Sequence, residues 1–168
     1  AGVFKVGSAG TILTSSDGIS WTKTNPGAPV SLAGVTYGNG LFVAVSEVGT
    51  ILTSTDGISW TQRYSGRGEK FSDVTYGNGL FVTVGRTILI SSDGISWTKT
   101  TSGTAKYLHS VTYGNELFVS VGMFGIILTS SDGISWTQRD NETPYKYLRS
   151  VTYGNGLFVS VGSEGRFF

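Results

Sequence analysis

The stretch "VTYGNGLFVAVSEVGTILTSTDGISWT" at residues 35–61 decides the fold, because it contains apolar runs separated by turn signals. Its "GNG" offers an Asn-Gly pair that tolerates the positive φ angles of a hairpin turn, and "DGIS" marks a second tight turn. With its flanking residues the stretch predicts short strands at about 32–37, 41–46, 50–54 and 60–64. The runs "LFVAV" and "TILTS" are too apolar for strands with one face in water. We therefore expect antiparallel strands that are covered on both faces.

This unit recurs along the chain with a period of about 39 residues. "VTYGN" begins at Val35, Val74, Val111 and Val151, and the tryptophans that follow "DGIS" are Trp21, Trp60, Trp97 and Trp136. A four-stranded antiparallel unit that repeats at this period and needs cover on both faces predicts an all-β fold, the β-propeller, with one blade per repeat. A β-solenoid is the alternative, but its coils use shorter repeats and do not need two hairpin turns each.

We expect the whole chain, 1–168, to form a single repeat array. Its blade repeats are about 32–64, 71–100 and 108–138, and residues 148–168 together with 1–24 would make a composite blade in which roughly one strand is supplied twice. Four blades lie at the lower limit of the range of about four to eight. A propeller ring shared between two chains, or an array that polymerises through exposed edge strands, therefore stays open beside closure within one chain.

Composition excludes several classes of function. The chain has 12 basic and 11 acidic side chains and a net charge of +1, so it carries no electrostatic footprint for nucleic acid or an anionic membrane surface. Cysteine is absent and histidine occurs once, which excludes disulfides, thiol catalysis, thiolate metal sites and multi-histidine metal sites. No apolar run approaches the ~18 residues of a membrane-spanning helix. We predict no metal and no cofactor.

The motif "SSDGISWT" at 15–22 returns at 91–98 and 130–137, and as "STDGISWT" at 54–61. Its aspartate can accept hydrogen bonds from backbone N–H groups of its own turn, its glycine permits an unusual φ angle, and its tryptophan can pack beneath the loop. Because four near-identical copies indicate architecture, we interpret these residues as structural rather than catalytic or calcium-binding. The structural set is Asp17, Trp21, Asp56, Trp60, Asp93, Trp97, Asp132 and Trp136.

The motif resembles the Asp-box (BNR) hairpin of sialidases, sortilin-type receptors and photosystem II assembly-factor propellers. Ser15, Asp17 and Trp21 match the pattern and Ser20 stands in the threonine place, but the loop is one residue shorter, here and in the other copies. The resemblance implies a β-propeller, and it favours an extracellular or secreted location. It implies less about function, because the family includes enzymes, receptors and scaffolds.

The segments that differ between repeats point to a candidate site. They are the links from strand four to the next strand one (23–34, 62–73, 99–110, 138–150) and from strand two to strand three (7–10, 46–49, 85–86, 122–125, 162–165). In a four-stranded meander both kinds of link lie on one face of the disc, and ligand sites concentrate on such loops. Besides Phe71, Arg67 and Tyr145, this face carries the candidate ligand-binding residues Tyr64, Tyr107, Tyr147, Glu47, Asp73, Arg86, His109 and Arg149.

The variable face and the resemblance together predict three alternative functions. Aromatic faces beside Arg, Asp and His suit a glycan or protein ligand, so a non-enzymatic binding module is the first prediction. A self-assembling structural unit is the second. A sialidase-like glycosidase is the third. The resemblance implies that its active site would need three arginines, a Tyr–Glu pair and an acid–base Asp. A two-carboxylate glycosidase would need Asp73 and Glu47 within about 5–10 Å.

Overall fold

A computed structural model of the chain describes residues 10–28, 30–66, 68–139 and 146–164. The regular secondary structure of these residues is β-strand, apart from one short 3₁₀ turn at Met123–Gly125. The strands are β1 (Ile12–Thr14), β2 (Thr22–Thr24), β3 (Leu32–Gly38), β4 (Leu41–Ser46), β5 (Thr50–Ser54), β6 (Thr61–Ser65), β7 (Phe71–Gly77), β8 (Leu80–Gly85), β9 (Ile88–Ser91), β10 (Thr98–Thr100), β11 (Leu108–Gly114), β12 (Leu117–Gly122), β13 (Ile127–Ser130), β14 (Thr137–Arg139), β15 (Lys146–Gly154) and β16 (Leu157–Glu164).

Three four-stranded antiparallel meanders form the centre of the described chain: blade 1 (β3–β6), blade 2 (β7–β10) and blade 3 (β11–β14). Two hairpins flank them, the N-terminal half-blade (β1–β2) and the C-terminal half-blade (β15–β16). The strands predicted for the first full repeat are correct to within one residue at each end. The all-β propeller fold is confirmed, although the sheets do not close into a ring.

The "GNG" turns take the conformation that their sequence predicts. Asn39, Asn78 and Asn155 have φ angles of 47°, 47° and 49°, and the glycine that follows each one is also left-handed. In blade 3 the glycine is replaced by Glu116, which still adopts a φ of 59°. The hairpin geometry therefore depends on the turn as a whole and survives one non-glycine residue.

The Asp turns also form the predicted hydrogen bonds. In blade 2, Asp93 Oδ1 accepts hydrogen bonds from the backbone N–H groups of Ile95 and Ser96, both at 2.8 Å, and from Ser91 Oγ at 2.9 Å. The Trp97 indole N–H donates to the Gly94 carbonyl at 3.1 Å. The other three copies repeat this arrangement. These bonds hold the pKa of each aspartate down, to about 2.

The second and third strands of the complete blades are buried on both faces, as their apolar sequences predict. Every residue of β5 is buried, and so are the last four of β4. The apolar core lies between blades: Val82 and Val84 of blade 2 pack against Leu108, Val111 and Phe118 of blade 3. Each blade is thus stabilised mainly by its neighbours, which is the packing expected of a propeller.

Strand one of each blade lies against strand one of the next. A glycine at the end of one strand accommodates a tyrosine of the following blade: a Cβ added at Gly77 would lie 2.1 Å from the Tyr113 ring, and one at Gly114 would lie 2.2 Å from the Tyr153 ring. Gly38 meets Tyr76 in the same way. This glycine–tyrosine contact is a repeated feature of the blade junctions.

The composite blade of 148–168 with 1–24 stays a prediction. The described parts of its two halves form separate two-stranded sheets, β1–β2 and β15–β16. The remaining parts, residues 1–9 and 165–168, lie outside the described residues. Within the described chain, no helix has the length and apolarity needed to span a membrane.

Candidate functional site

The two kinds of variable link meet on one face, as the meander topology requires. Gly66 N–H donates to the Gly49 carbonyl at 3.0 Å, and Arg86 N–H donates to the Lys70 carbonyl at 3.0 Å. In blade 3, Met123 N–H donates to the Tyr107 carbonyl at 2.9 Å. These backbone bonds tie the strand two–three link of each complete blade to an adjacent inter-blade link, which is the following one in blade 1 and the preceding one in blades 2 and 3. Side chains from both kinds of link are therefore displayed on one connected surface.

Four of the predicted site residues form one cluster where blade 3 meets the C-terminal half-blade. Tyr107 and His109 rings lie 5.3 Å apart between centroids, at the start of β11. The Arg149 guanidinium carbon lies 5.5 Å from the Tyr147 ring centroid, at the start of β15. The charge of Arg149 also acts on His109. We call Tyr107, His109, Tyr147 and Arg149, with Phe124 described below, the aromatic cluster.

The position of these side chains follows from the repeat. Each strand one begins with alternating outward and core residues, and Leu108 and Leu148 are the core members between the cluster residues. Blade 1 has small residues, Ser31 and Ala33, at the places taken by Tyr147 and Arg149. These two positions are therefore occupied by small residues in blade 1, and by an aromatic and a cationic residue in the C-terminal half-blade.

His109 has an unsatisfied ring nitrogen. Its Nε2 is buried and has no hydrogen-bond partner among the described residues. The pKa of His109 is lowered from its ordinary value of 6.5, first by burial and second by the positive charge of Arg149. The imidazole is therefore neutral at pH 7, and its Nε2 can donate or accept one hydrogen bond.

Phe124 belongs to the cluster, although it was not among the residues predicted for the site. Its ring centroid lies 5.8 Å from that of Tyr147, and the side chain is partly exposed. Its backbone is left-handed, with a φ of 57°, which is rare for a bulky residue. The signal in the sequence was the variable link 122–125, in which an aromatic residue stands beside two glycines.

Asp73 lies in a blade junction. Its Oδ2 accepts hydrogen bonds from Ser110 Oγ at 2.8 Å and from the Val111 N–H at 3.0 Å, while Oδ1 accepts one from its own neighbour Val74. Burial raises the pKa of Asp73 above its ordinary value, and the hydrogen bonds oppose that shift. The carboxylate thus links blade 2 to blade 3.

The other predicted residues lie outside the cluster. Phe71 was expected on the variable face, but it is fully buried in the core between blades 1 and 2, because it occupies the core-facing place of strand one. Tyr64 is half-buried with its ring 6.0 Å from Phe71, and Glu47 and Arg86 are exposed. No contact found among the described residues joins these side chains to the cluster. Arg67 and Tyr145 lie outside the described residues.

The charged group of the cluster is Arg149. The two ion pairs found among the described residues are Lys99–Glu69 and Lys146–Glu164, and neither involves Arg149, Arg86 or Lys106. In the same part of the chain, no group of three or more His, Cys, Asp or Glu side chains is arranged to hold a metal ion. The surface therefore offers aromatic faces, a guanidinium and a neutral imidazole.

No protein-family model matches the sequence, and no curated protein matches it either. Solved structures with similar folds include virginiamycin B lyase from Staphylococcus aureus (19% identity, TM-score 0.79), a streptogramin B lyase (14%, 0.78) and YCF48 bound to D1 peptide (16%, 0.71). They cover 94%, 96% and 94% of this chain, which spans only 57%, 64% and 56% of theirs. At these identities the likeness shows the fold alone. This chain thus shares the β-propeller fold and spans about three fifths of the length of these proteins.

Proposed function

We propose that this chain is a β-propeller interaction module whose aromatic cluster binds an extended, acidic segment of another protein. The observation that carries the proposal is the exposed Arg149 guanidinium, whose carbon lies 5.5 Å from the Tyr147 ring centroid. The rings of Tyr107 and His109 lie at the same blade junction, so a ligand held by Arg149 would also meet aromatic faces.

The chemistry of the cluster favours an acidic peptide. Arg149 is exposed and can form paired hydrogen bonds with a carboxylate, while Tyr147 and Phe124 offer apolar faces to a peptide backbone or side chain. Arg86 and Lys106 add positive charge on the same face. YCF48, one of the similar propellers, was solved bound to a peptide, which supports a protein ligand in this fold.

An array of extended peptides would test this function. Each Asp- or Glu-containing peptide is paired with its Asn or Gln isostere, and binding of the tightest peptide is then measured by fluorescence anisotropy. We expect acidic peptides to bind and their amide isosteres to bind at least about tenfold more weakly, because hydrogen bonds to charged groups contribute about 1.5–3 kcal/mol.

Two variants locate the site. Arg149→Ala should weaken binding about tenfold or more, whereas Arg139→Ala, an exposed arginine on β14, should leave binding unchanged. Tyr107→Ala combined with Tyr147→Ala should abolish binding. If these changes leave the affinity unaltered, the site lies elsewhere. Binding to a glycan array that is lost in the same variants would instead establish the lectin-like alternative.

Self-assembly is a second candidate function. It is favoured by a specific observation, the two half-blades whose outer strands β1 and β16 have one unpaired edge each among the described strands. Exposed strand edges readily pair with another chain.

A sialidase-like glycosidase is a third candidate. Asp73 accepts two hydrogen bonds from blade 3 and one from its own neighbour Val74, and no Tyr–Glu hydrogen bond is found in the described part of the chain. The names of two similar propellers are those of lyases, so the fold itself is compatible with catalysis. The Asp turns support a relation to Asp-box repeats, which include enzymes and binding proteins.

A further inference from the structure

The turns on the face opposite the variable links expose an isoleucine in every complete blade. Ile58, Ile95 and Ile134 occupy the same place in the three Asp turns, and they are 61%, 49% and 51% exposed. Tight turns usually carry Gly, Pro, Asn, Asp or Ser, so the turn chemistry does not explain an apolar residue at this place. We call the turn face the six turn segments of the complete blades, which are the Asp turns 54–60, 91–97 and 130–136 and the hairpin turns 38–41, 77–80 and 114–117.

The exposure of these isoleucines does not come from a missing neighbour. Blade 2 has a complete blade on each side, and Ile95 is still half-exposed. Its backbone N–H donates to Asp93 Oδ1 at 2.8 Å, and the Ile134 N–H donates to Asp132 Oδ1 at the same distance. The Asp turn therefore fixes the backbone of each isoleucine, while neither side chain belongs to a core cluster found among the described residues.

The turns of neighbouring blades are joined into one surface. Asn78 Nδ2, in the hairpin turn of blade 2, donates to the Ser131 carbonyl at 3.4 Å. Thr100 Oγ1, at the end of β10, donates to the Ile134 carbonyl at 2.6 Å. Both acceptors belong to the Asp turn of blade 3, so this turn rests on blade 2. Apolar side chains that recur on one rigid surface differ from singly scattered exposed residues, and they indicate an interaction site.

The charges of the turn face are all acidic. Its ionisable side chains are Asp56, Asp93, Asp132 and Glu116, and all of them are exposed. No Lys, Arg or His occurs in the six segments, although the whole chain has a net charge of +1. Hydrogen bonds within each Asp turn lower the pKa of its aspartate to about 2, so these carboxylates are charged at neutral pH. A partner of the turn face therefore has to offer positive charge.

The acidic charge is increased in blade 3 and is not neutralised by the nearest lysine. Glu116 replaces the glycine of the other two hairpin turns and keeps its left-handed backbone, with a φ of 59°, which is uncommon for a non-glycine residue. Lys99 follows the Asp turn of blade 2, but its Nζ lies 3.4 Å from Glu69 Oε1 in the variable link 62–73. Lys99 thus extends toward the opposite face.

We propose that the turn face binds a segment of another protein that carries both apolar and basic side chains. The apolar side chains of this segment contact Ile95 and Ile134. Its Lys or Arg side chains pair with the carboxylates of Asp93, Asp132 and Glu116. The acidic charge disfavours nucleic acid and anionic membranes, and a wholly apolar partner would cover the carboxylates without pairing them. This surface is separate from the aromatic cluster on the opposite face, and the proposal is independent of the acidic peptide proposed there.

A short fluorescent peptide of alternating Lys and Leu tests the chemistry of the partner, with binding measured by fluorescence anisotropy. Its controls are the same peptide with Gln in place of Lys, and with Ser in place of Leu. We expect the Lys–Leu peptide to bind at least about tenfold more tightly than either control, because charge pairing and apolar burial both contribute. High salt should weaken this binding. Equal binding of either control would overturn the proposal.

Ile95→Ser combined with Ile134→Ser tests the surface. Both side chains are exposed, and serine keeps the backbone N–H that each aspartate binds, so circular dichroism should be unchanged. The double variant should bind the Lys–Leu peptide at least about tenfold more weakly. Val48→Ser is the control, because Val48 is a 59% exposed apolar residue of the link 46–49 on the opposite face. It should bind like the unaltered chain, and unchanged affinity in the double variant would refute the proposal.

Glu116→Gly tests the charge with a residue that the other hairpin turns already have. It removes one carboxylate and should weaken binding of the Lys–Leu peptide about twofold to threefold at low salt, with little effect at high salt. Arg149→Ala, in the aromatic cluster, should leave this binding unchanged. A loss in Arg149→Ala would place the peptide at the aromatic cluster and overturn the proposal. Binding of the unaltered chain to anionic vesicles that is lost in the double isoleucine variant would also overturn it.

Discussion

The same six residues, "LFVSVG", occur in β12 and at the start of β16, with opposite exposure. In β12, Val119 and Val121 are 6% and 1% exposed, whereas in β16 Val159 and Val161 are 52% and 59% exposed. Both segments form strand two of a hairpin, after a turn that differs only in having Glu116 in blade 3 and Gly156 in the C-terminal half-blade. The difference is that β12 has β13 at its edge and a further blade on its outer face, and β16 has neither among the described residues. Burial in this fold is thus supplied by neighbouring blades.

The largest expected difference in stability concerns the glycine at the end of strand one. Gly114 lies at a covered junction, where the next blade packs against it, and Gly154 lies at an open one. Gly114→Val should lower the free energy of unfolding by about 3 kcal/mol, because the new side chain would overlap Tyr153. Gly154→Val should change it by less than about 0.5 kcal/mol when the protein is dilute. Urea denaturation of both variants measures the difference. Equal losses would mean that Gly154 is covered within the monomer.

The next effect concerns the hydrogen bonds across the covered junction. Asp73→Ala would leave the Val111 N–H and the Ser110 hydroxyl without their acceptor, at a cost of about 2 kcal/mol. Asp73→Asn keeps one carbonyl oxygen and should cost less, and Ser150→Ala at the open end should cost almost nothing. Because burial raises the pKa of Asp73 in the folded state, the folded chain binds this proton more tightly than the unfolded one. Its contribution to stability therefore declines as pH rises above about 3.8 through the raised pKa, and Asp73→Asn should remove that dependence.

A smaller effect is expected from the repeated valines. Val119→Ala removes two buried methyl groups and should cost about 1.5 kcal/mol, whereas Val159→Ala should cost less than about 0.5 kcal/mol in dilute protein. Thermal unfolding at low and high protein concentration would sharpen the comparison. If two copies assemble, the cost of Val159→Ala should grow with concentration while that of Val119→Ala stays constant.

The smallest effect concerns the Asp turns, which have the same geometry in whole blades and in the N-terminal half-blade. Their pKa values in the folded chain are lowered to about 2, so their contribution to stability is complete above the ordinary value of 3.8 and is lost as pH falls from there toward 2. Asp93→Asn should reduce the loss of thermal stability between pH 4 and pH 2. Asp17→Asn should have a smaller effect on this loss of thermal stability, because the N-terminal half-blade packs against fewer neighbouring strands. Identical pH profiles for the two variants would contradict this ranking.

The candidate site could be predicted in part. Tyr107, His109, Tyr147 and Arg149 were found because they occupy variable positions at the start of strand one, and the structure places them together. Phe71 was wrongly predicted to lie on the variable face. Residues at the start of strand one alternate between core and surface, and this alternation is interrupted by a bulge between Phe71 and Asp73. Phe124 was missed because its proximity to Tyr147 depends on the left-handed backbone of a neighbouring link. The ligand of this cluster stays a prediction.

The sequence by itself determined the blade: its period, its four strands, its two turns and the hydrogen bonds of each Asp turn. These features are local, since turn chemistry and strand periodicity act over a few residues, and four copies repeat the same signal. Only the tertiary structure decided which copies of an identical segment are buried, which carboxylate joins two blades, and which surfaces stay open. Those properties depend on residues that lie a whole blade apart in sequence, so the repeat pattern cannot distinguish Val119 from Val159 or Gly114 from Gly154.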